Sequence, residues 1–110
     1  MHVVASSLVK NVISLLLKMF AISFDMIVSD LKVNFGEPYN NAYYEISLVL
    51  ERYDFYRIQG SVYVTKNGNM LNLTLAMNAL RAIPWFTQSV RDIRAFRVED
   101  WSDFTPFFKI

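Results

Sequence analysis

Cysteine is absent from this chain, and histidine occurs once, as His2. Without cysteine there can be no disulfide, thiolate zinc site or thiol nucleophile, which fits a reducing compartment and leads us to expect a cytoplasmic protein. One histidine at the second position cannot make a histidine acid–base pair or a histidine metal cluster within a protomer. Chemistry must therefore rest on carboxylates, hydroxyls, arginines, lysines or a carboxylate-held metal. The spacings of a phosphate-binding loop, a dinucleotide fingerprint, a serine elbow and a zinc site are missing too. The apolar run near the start is interrupted by Lys10 and is too short to span a bilayer, so no membrane partner is expected.

What the chain does have is material for a core. It is 110 residues long, 54% hydrophobic and 15% aromatic, enough for one folded domain and too short for two. Net charge is +1, but the first eighteen residues hold Lys10 and Lys18 and no acid. The remainder carries nine basic and ten acidic residues. No global basic field attracts nucleic acid, so any RNA contact has to be local.

Residues 1–18, MHVVASSLVKNVISLLLK, place Val9, Val12, Ile13, Leu16 and Leu17 at helical spacing. A charged segment before the apolar run and a small-residue cleavage site are both lacking, so a secretory signal fits poorly. Met19 then opens a strand. We expect residues 1–18 to be an extension upstream of a natural start at Met19, with a helix packing on the sheet or on a partner, or else a membrane anchor, as the alternatives. Residues 19–110 form the domain.

Within it, residues 20–28 are rich in β-branched and aromatic side chains and predict a buried strand. Pro38 suits the first turn of a helix, and Tyr39, Ala42, Tyr43, Ile46, Val49, Leu50 and Tyr53 share one helical face. Residues 55–58 and 61–65 predict two short strands around Gln59-Gly60, the second closing at the Asn67-Gly68 turn signal. Asn69 can cap a second helix, in which Met70, Leu73, Met77 and Leu80 fall on one face until Pro84 ends it. Residues 92–99 alternate as a last strand, and a short tail follows. The order is βαββαβ, an α+β ferredoxin-like fold with an antiparallel sheet. Crossover handedness places the first and last strands side by side in the centre. Both helices cover one face, and a second copy of the chain is the expected cover for the other.

Asp25 is the sharpest candidate for chemistry. Seven of its eight neighbours in residues 20–28 are apolar, Ser23 being the other. A buried carboxylate needs an arginine, hydrogen-bond donors or a metal; a solvated one at the strand's C-terminal end needs nothing. In a dimer two such aspartates could hold Mg²⁺ or divide acid and base roles. Asp92 enters the last strand among Arg91, Arg94 and Arg97. Arginine suits phosphate, although alternating charges on a strand also describe an ordinary salt-bridged surface. Ser61 starts the third strand, a neighbour of the first, where its hydroxyl could approach Asp25. Gly60 beside it supplies a bend. Tyr39, Tyr43, Tyr63, Trp85, Trp101 and Phe104 could stack bases, but most fall on core stripes.

The segments MFAISFD (19–25), GEPYNNAY (36–43), QGSVYV (59–64), AMNAL (76–80) and SVRDIRAFRVEDWSDFT (89–105) resemble the virulence-associated protein D family, nearly end to end from Met19. Members of that family begin at a methionine matching Met19 and commonly carry glycine where this chain has Asp54. The resemblance implies a ferredoxin-like homodimer similar to the small dimeric nuclease of CRISPR adaptation modules. It implies endoribonuclease activity and the role of toxin, with a cognate antitoxin protein as partner. The family's catalytic aspartate, serine and second aspartate fall on Asp25, Ser61 and Asp92. Arg91 and Arg94 are then the expected phosphate contacts, and Asp25 the expected ligand of any Mg²⁺. The rival is a non-catalytic dimer that binds a protein partner or nucleoprotein, for which the tail of Glu99, Asp100, Trp101, Asp103 and Phe104 would serve.

Overall fold

Alternation in the first strand sets the architecture. In the computed structural model, which describes residues 19–109, β1 (Met19–Met26) buries Phe20, Ile22, Phe24 and Met26 and leaves Asp25 exposed. The expected extension, residues 1–18, lies outside the described residues. β1 stops two residues earlier than its β-branched composition predicts, because Val28 instead begins a short helix, α1 (Val28–Asn34). Leu31 is the one buried residue of α1, so no apolar stripe announced it.

The helix α2 (Asn40–Glu51) buries Ala42, Ile46 and Leu50, at i, i+4 and i+8 of one face. It closes through Asp54, which adopts the left-handed conformation at φ 64°. The N–H of Phe55 then donates to the Leu50 carbonyl at 3.1 Å. Aspartate tolerates this backbone because its short polar side chain bonds locally. β2 (Tyr56–Gln59) and β3 (Val62–Thr65) turn about Gly60, whose φ of 43° meets the expected bend. Asn69 caps α3 (Met70–Arg81) as expected, its side-chain oxygen accepting the N–H of Leu71 at 2.9 Å. Leu73, Ala76 and Leu80 face inward from α3. Pro84 does not merely end that helix but opens a further turn, α4 (Pro84–Thr87). β4 (Val90–Val98) and a terminal turn, α5 (Thr105–Phe108), complete the chain.

The sheet is antiparallel throughout, in the order β2-β3-β1-β4. This is the expected ferredoxin-like α+β arrangement, with one correction. The first and last strands are side by side, but β1 and β3 occupy the centre and β4 is an edge. Each crossover skips one strand: β3 fills the gap between β1 and β2, and the chain leaving α3 reaches the free side of β1.

Between the sheet and α2 and α3 lies one core. Ile22, Leu31, Ile46, Leu50 and Phe55 are fully buried there, and Phe24 stacks on Tyr63 at 6.0 Å and meets Phe86 edge-on at 5.7 Å. Burial of each such aliphatic side chain contributes about 1.5–3 kcal/mol. The opposite face, read from the register, carries Ser23, Asp25, Val62, Val64, Asp92, Arg94 and Phe96. Among the described residues neither α2 nor α3 covers it; Trp101 of the tail shares a cleft of about 340 Å³ with Met19, Tyr56 and Val64.

Candidate active site

At the C-terminal end of β1 the antiparallel register sets Asp25 directly opposite Asp92 of β4. Two carboxylates on adjacent strands of one face repel unless cations or solvent screen them. Both are supplied. Arg91 Nη1 lies 3.8 Å from Asp25 Oδ2, and Arg94 Nε lies 4.0 Å from Asp92 Oδ1. More than half of each side chain is open to water, 61% for Asp25 and 63% for Arg91. Asp25 is therefore the solvated carboxylate of the two sequence readings, yet it also has the arginine that the other reading required.

Arg91 reaches Asp25 because of a local irregularity. Asp25 pairs with Asp92, but the next residue, Met26, pairs with Val90, so Arg91 is the extra residue of a β-bulge. Bulges bend the strand and re-aim a side chain. An exposed ion pair of this kind is worth about 0–1 kcal/mol, so either arginine can exchange its carboxylate for a phosphate at small cost.

Ser61 comes to the same end of the sheet: its carbonyl accepts the N–H of Phe24 at 3.2 Å, one residue before Asp25. Its surroundings differ from those of the aspartates. Ser61 lines a cleft on the helical side with Tyr43, Tyr44, Arg57 and Tyr63. Asp25 and Asp92 thus form a facing pair, and Ser61 borders them from the neighbouring strand. Tyr43 lines this cleft and feels the charge of Asp25. Its pKa is raised by burial first, then by Tyr39 and by the negative charge of Asp25.

Of the aromatic residues that could stack bases, Tyr63 is buried against Phe24, and Trp85 packs edge-on against Phe35 at 4.9 Å. Tyr43 reaches the cleft, while Trp101 and Phe104 stand exposed in the tail. Arg57 and Tyr44, which the sequence reading passed over, border the same cleft as Ser61. The position of Arg57, two residues before the Gln59-Gly60 turn, was the available signal.

Among the described residues no three metal-ligating side chains cluster. Asp25 and Asp92 offer at most a two-carboxylate seat, a number that suits Mg²⁺ when phosphate oxygens and water fill the other positions. Also among the described residues, no helix is long and apolar enough to cross a membrane.

Comparison with known proteins matches residues 18–105 to the family model of CRISPR associated protein Cas2. Endoribonuclease VapD 1 of Riemerella anatipestifer is 56% identical over 84 residues, covering 76% of this chain and 94% of that protein. The Endoribonuclease VapD homolog of Neisseria gonorrhoeae is 52% identical over 91 residues, covering 83% and 99%. Endoribonuclease VapD of Haemophilus influenzae is 48% identical over 91 residues, with the same coverage.

Proposed function

The chain belongs to the CRISPR associated protein Cas2 family and, within it, to the VapD proteins, and from that premise we propose that it is an endoribonuclease working at the Asp25–Asp92 pair. The observation that carries the reading is the register, which sets the two carboxylates opposite each other with an arginine beside each.

In this reading Arg91 and Arg94 leave their carboxylates to take oxygens of the scissile phosphate, which frees Asp25 to act as base. Asp25 removes the proton from the attacking hydroxyl, either the substrate's own 2′-hydroxyl or a water. The new oxygen–phosphorus bond forms as the bond to the leaving oxygen breaks, and that oxygen takes a proton from solvent or from the partner carboxyl. Asp92 shares the proton traffic, and Ser61 positions phosphate or water from the adjoining strand. Were Mg²⁺ bound, Asp25 and Asp92 would hold it, and it would neutralise charge on the phosphate.

The uncovered sheet face, with Phe96 and Tyr56 about half exposed, is where a second copy docks to form a homodimer. An endoribonuclease made in the cytoplasm meets the cell's own RNA there, which suits the toxin of a toxin–antitoxin pair with a protein antitoxin as partner.

Cleavage of end-labelled single-stranded RNA by the full chain and by Asp25→Ala, each with Mg²⁺ and with EDTA, tests this reading. Cutting by the parent, with loss of about a hundredfold or more in a still-folded variant, is the expected result. Absence of cutting, or equal cutting by both proteins, would sink the assigned site and favour a binding module.

A further inference from the structure

On the helical side of the sheet, opposite the face that carries the aspartate pair, the cleft between the N-terminal half of α2 and the β2–β3 turn has a volume of about 570 Å³. That is ample for a small organic group, since ligand sites usually span about 300–1,000 Å³. We propose that this cleft is a nucleobase subsite, which takes the unstacked base of the nucleotide next to the scissile phosphate, rests it on Tyr44 and steadies the adjoining phosphate with Arg57. The proposal rests on the endoribonuclease reading for its substrate class and adds to it where the RNA chain runs and which residues grip it.

Three features point to a base. Tyr44 is 65% exposed although it sits on a helix whose neighbouring turns supply the core, so packing does not account for its ring. An exposed aromatic face beside a sheet end is what single-stranded RNA uses, because every base presents a π-surface. Arg57 is held in place: its Nε donates to the Gly60 carbonyl at 2.7 Å, which fixes the guanidinium and leaves its terminal N–H groups for another acceptor. Among the described residues no carboxylate forms an ion pair with it, unlike Arg91 and Arg94. Asn40, also in the cleft wall, carries both a donor and an acceptor suited to a base edge.

Continuity with the reaction site supplies the rest. Ser61 belongs to the cleft wall and also accepts the N–H of Phe24, the residue before Asp25. In the proposed path a nucleotide with its base against Tyr44 passes its phosphate by Ser61 and round the end of β1 to Asp25 and Asp92 on the other face. A second β-irregularity, between Arg57 and Gln59, re-aims the β2 edge at this place as the Arg91 bulge does for β4.

The test uses the full chain carrying Asp25→Asn, so that RNA is bound without being cut. Affinity for a short fluorescein-labelled single-stranded RNA is measured by anisotropy, with Tyr44→Ala, Tyr44→Phe and Arg57→Ala added in turn. Because Tyr44 is exposed, its replacement leaves the fold intact. Tyr44→Ala should weaken binding about tenfold while Tyr44→Phe stays near the parent, as loss of one base–aromatic stack demands. Arg57→Ala should weaken it severalfold and flatten its salt dependence. Removing one base from the RNA should reproduce the tenfold loss at a single position, and cost nothing further in Tyr44→Ala. Unchanged affinity in Tyr44→Ala, or a loss indifferent to which base is missing, overturns the subsite even if the unsubstituted chain cuts RNA. A Tyr44 effect in a chain that does not cut RNA keeps the subsite and removes the nuclease reading. No RNA binding by any variant overturns the proposal and turns the cleft over to a protein partner.

Discussion

The two faces of β1 behave as different materials. Phe20, Ile22, Phe24 and Met26 point into a closed apolar core, while Ser23 and Asp25, one residue out of step, face Arg94 and Asp92 across the strand boundary. Every side chain on the first face is fixed by its neighbours. On the second, each aspartate is paired with an arginine and more than half of each of these side chains is exposed. Stability and chemistry therefore depend on alternate residues of the same strand, and a substitution should disturb one and spare the other.

That separation can be broken from either side. Asp25→Ala should lower RNA cleavage about a hundredfold or more, while thermal unfolding hardly moves, because an exposed ion pair contributes about 0–1 kcal/mol. Ile22→Ala, three residues away, should do the reverse. It removes a fully buried side chain and should cost about 2–5 kcal/mol in denaturant unfolding, while the fraction still folded cuts RNA normally. If a second copy docks on the sheet face away from the helices as proposed, Phe96→Glu should shift sedimentation toward the monomer and leave the far-UV circular dichroism alone. Arg91→Ala should slow cleavage about tenfold and make the rate less sensitive to salt.

The smallest effect concerns Tyr63, inside the core. Its pKa is raised, chiefly by burial, opposed by Arg57 and the Ser47 hydrogen bond and helped by Glu51. A raised folded-state pKa means that the stabilisation is complete below the unfolded value of 10.0 and fades as pH climbs through the folded one. Unfolding should therefore become easier above about pH 10, and Tyr63→Phe should blunt that alkaline loss.

The sequence disclosed the covered face better than the other. Alternation in β1, the i, i+4 spacing of Ala42, Ile46 and Leu50, and the Asn69 cap each have one physical solution, and the structure adopts it. Short elements escaped. The helix α1 buries a single side chain, and α5 starts from one hydrogen bond, the Asp103 carboxylate accepting the N–H of Thr105 at 2.8 Å. Neither leaves a periodic trace. Asp25 was legible as a candidate because charge is costly in an apolar strand, and Asp92 because its strand was expected beside that of Asp25. That they face each other depends on the β1–β4 register, and the reach of Arg91 on a bulge, neither of which composition encodes. Tyr44 was invisible for the same reason and Arg57 was marked only by its place near the turn: only the fold carries the β2–β3 turn to the start of α2.

The pairing of Asp25 with Asp92 is the centre of this account, and a double-mutant cycle on the RNA cleavage rate tests it most directly. If the two carboxylates act as one unit, Asp25→Asn and Asp92→Asn should each cost most of the activity, and the double variant should be little slower than the worse single one. Losses that multiply, or an Asp92→Asn protein that cuts RNA at the parent rate, would contradict it.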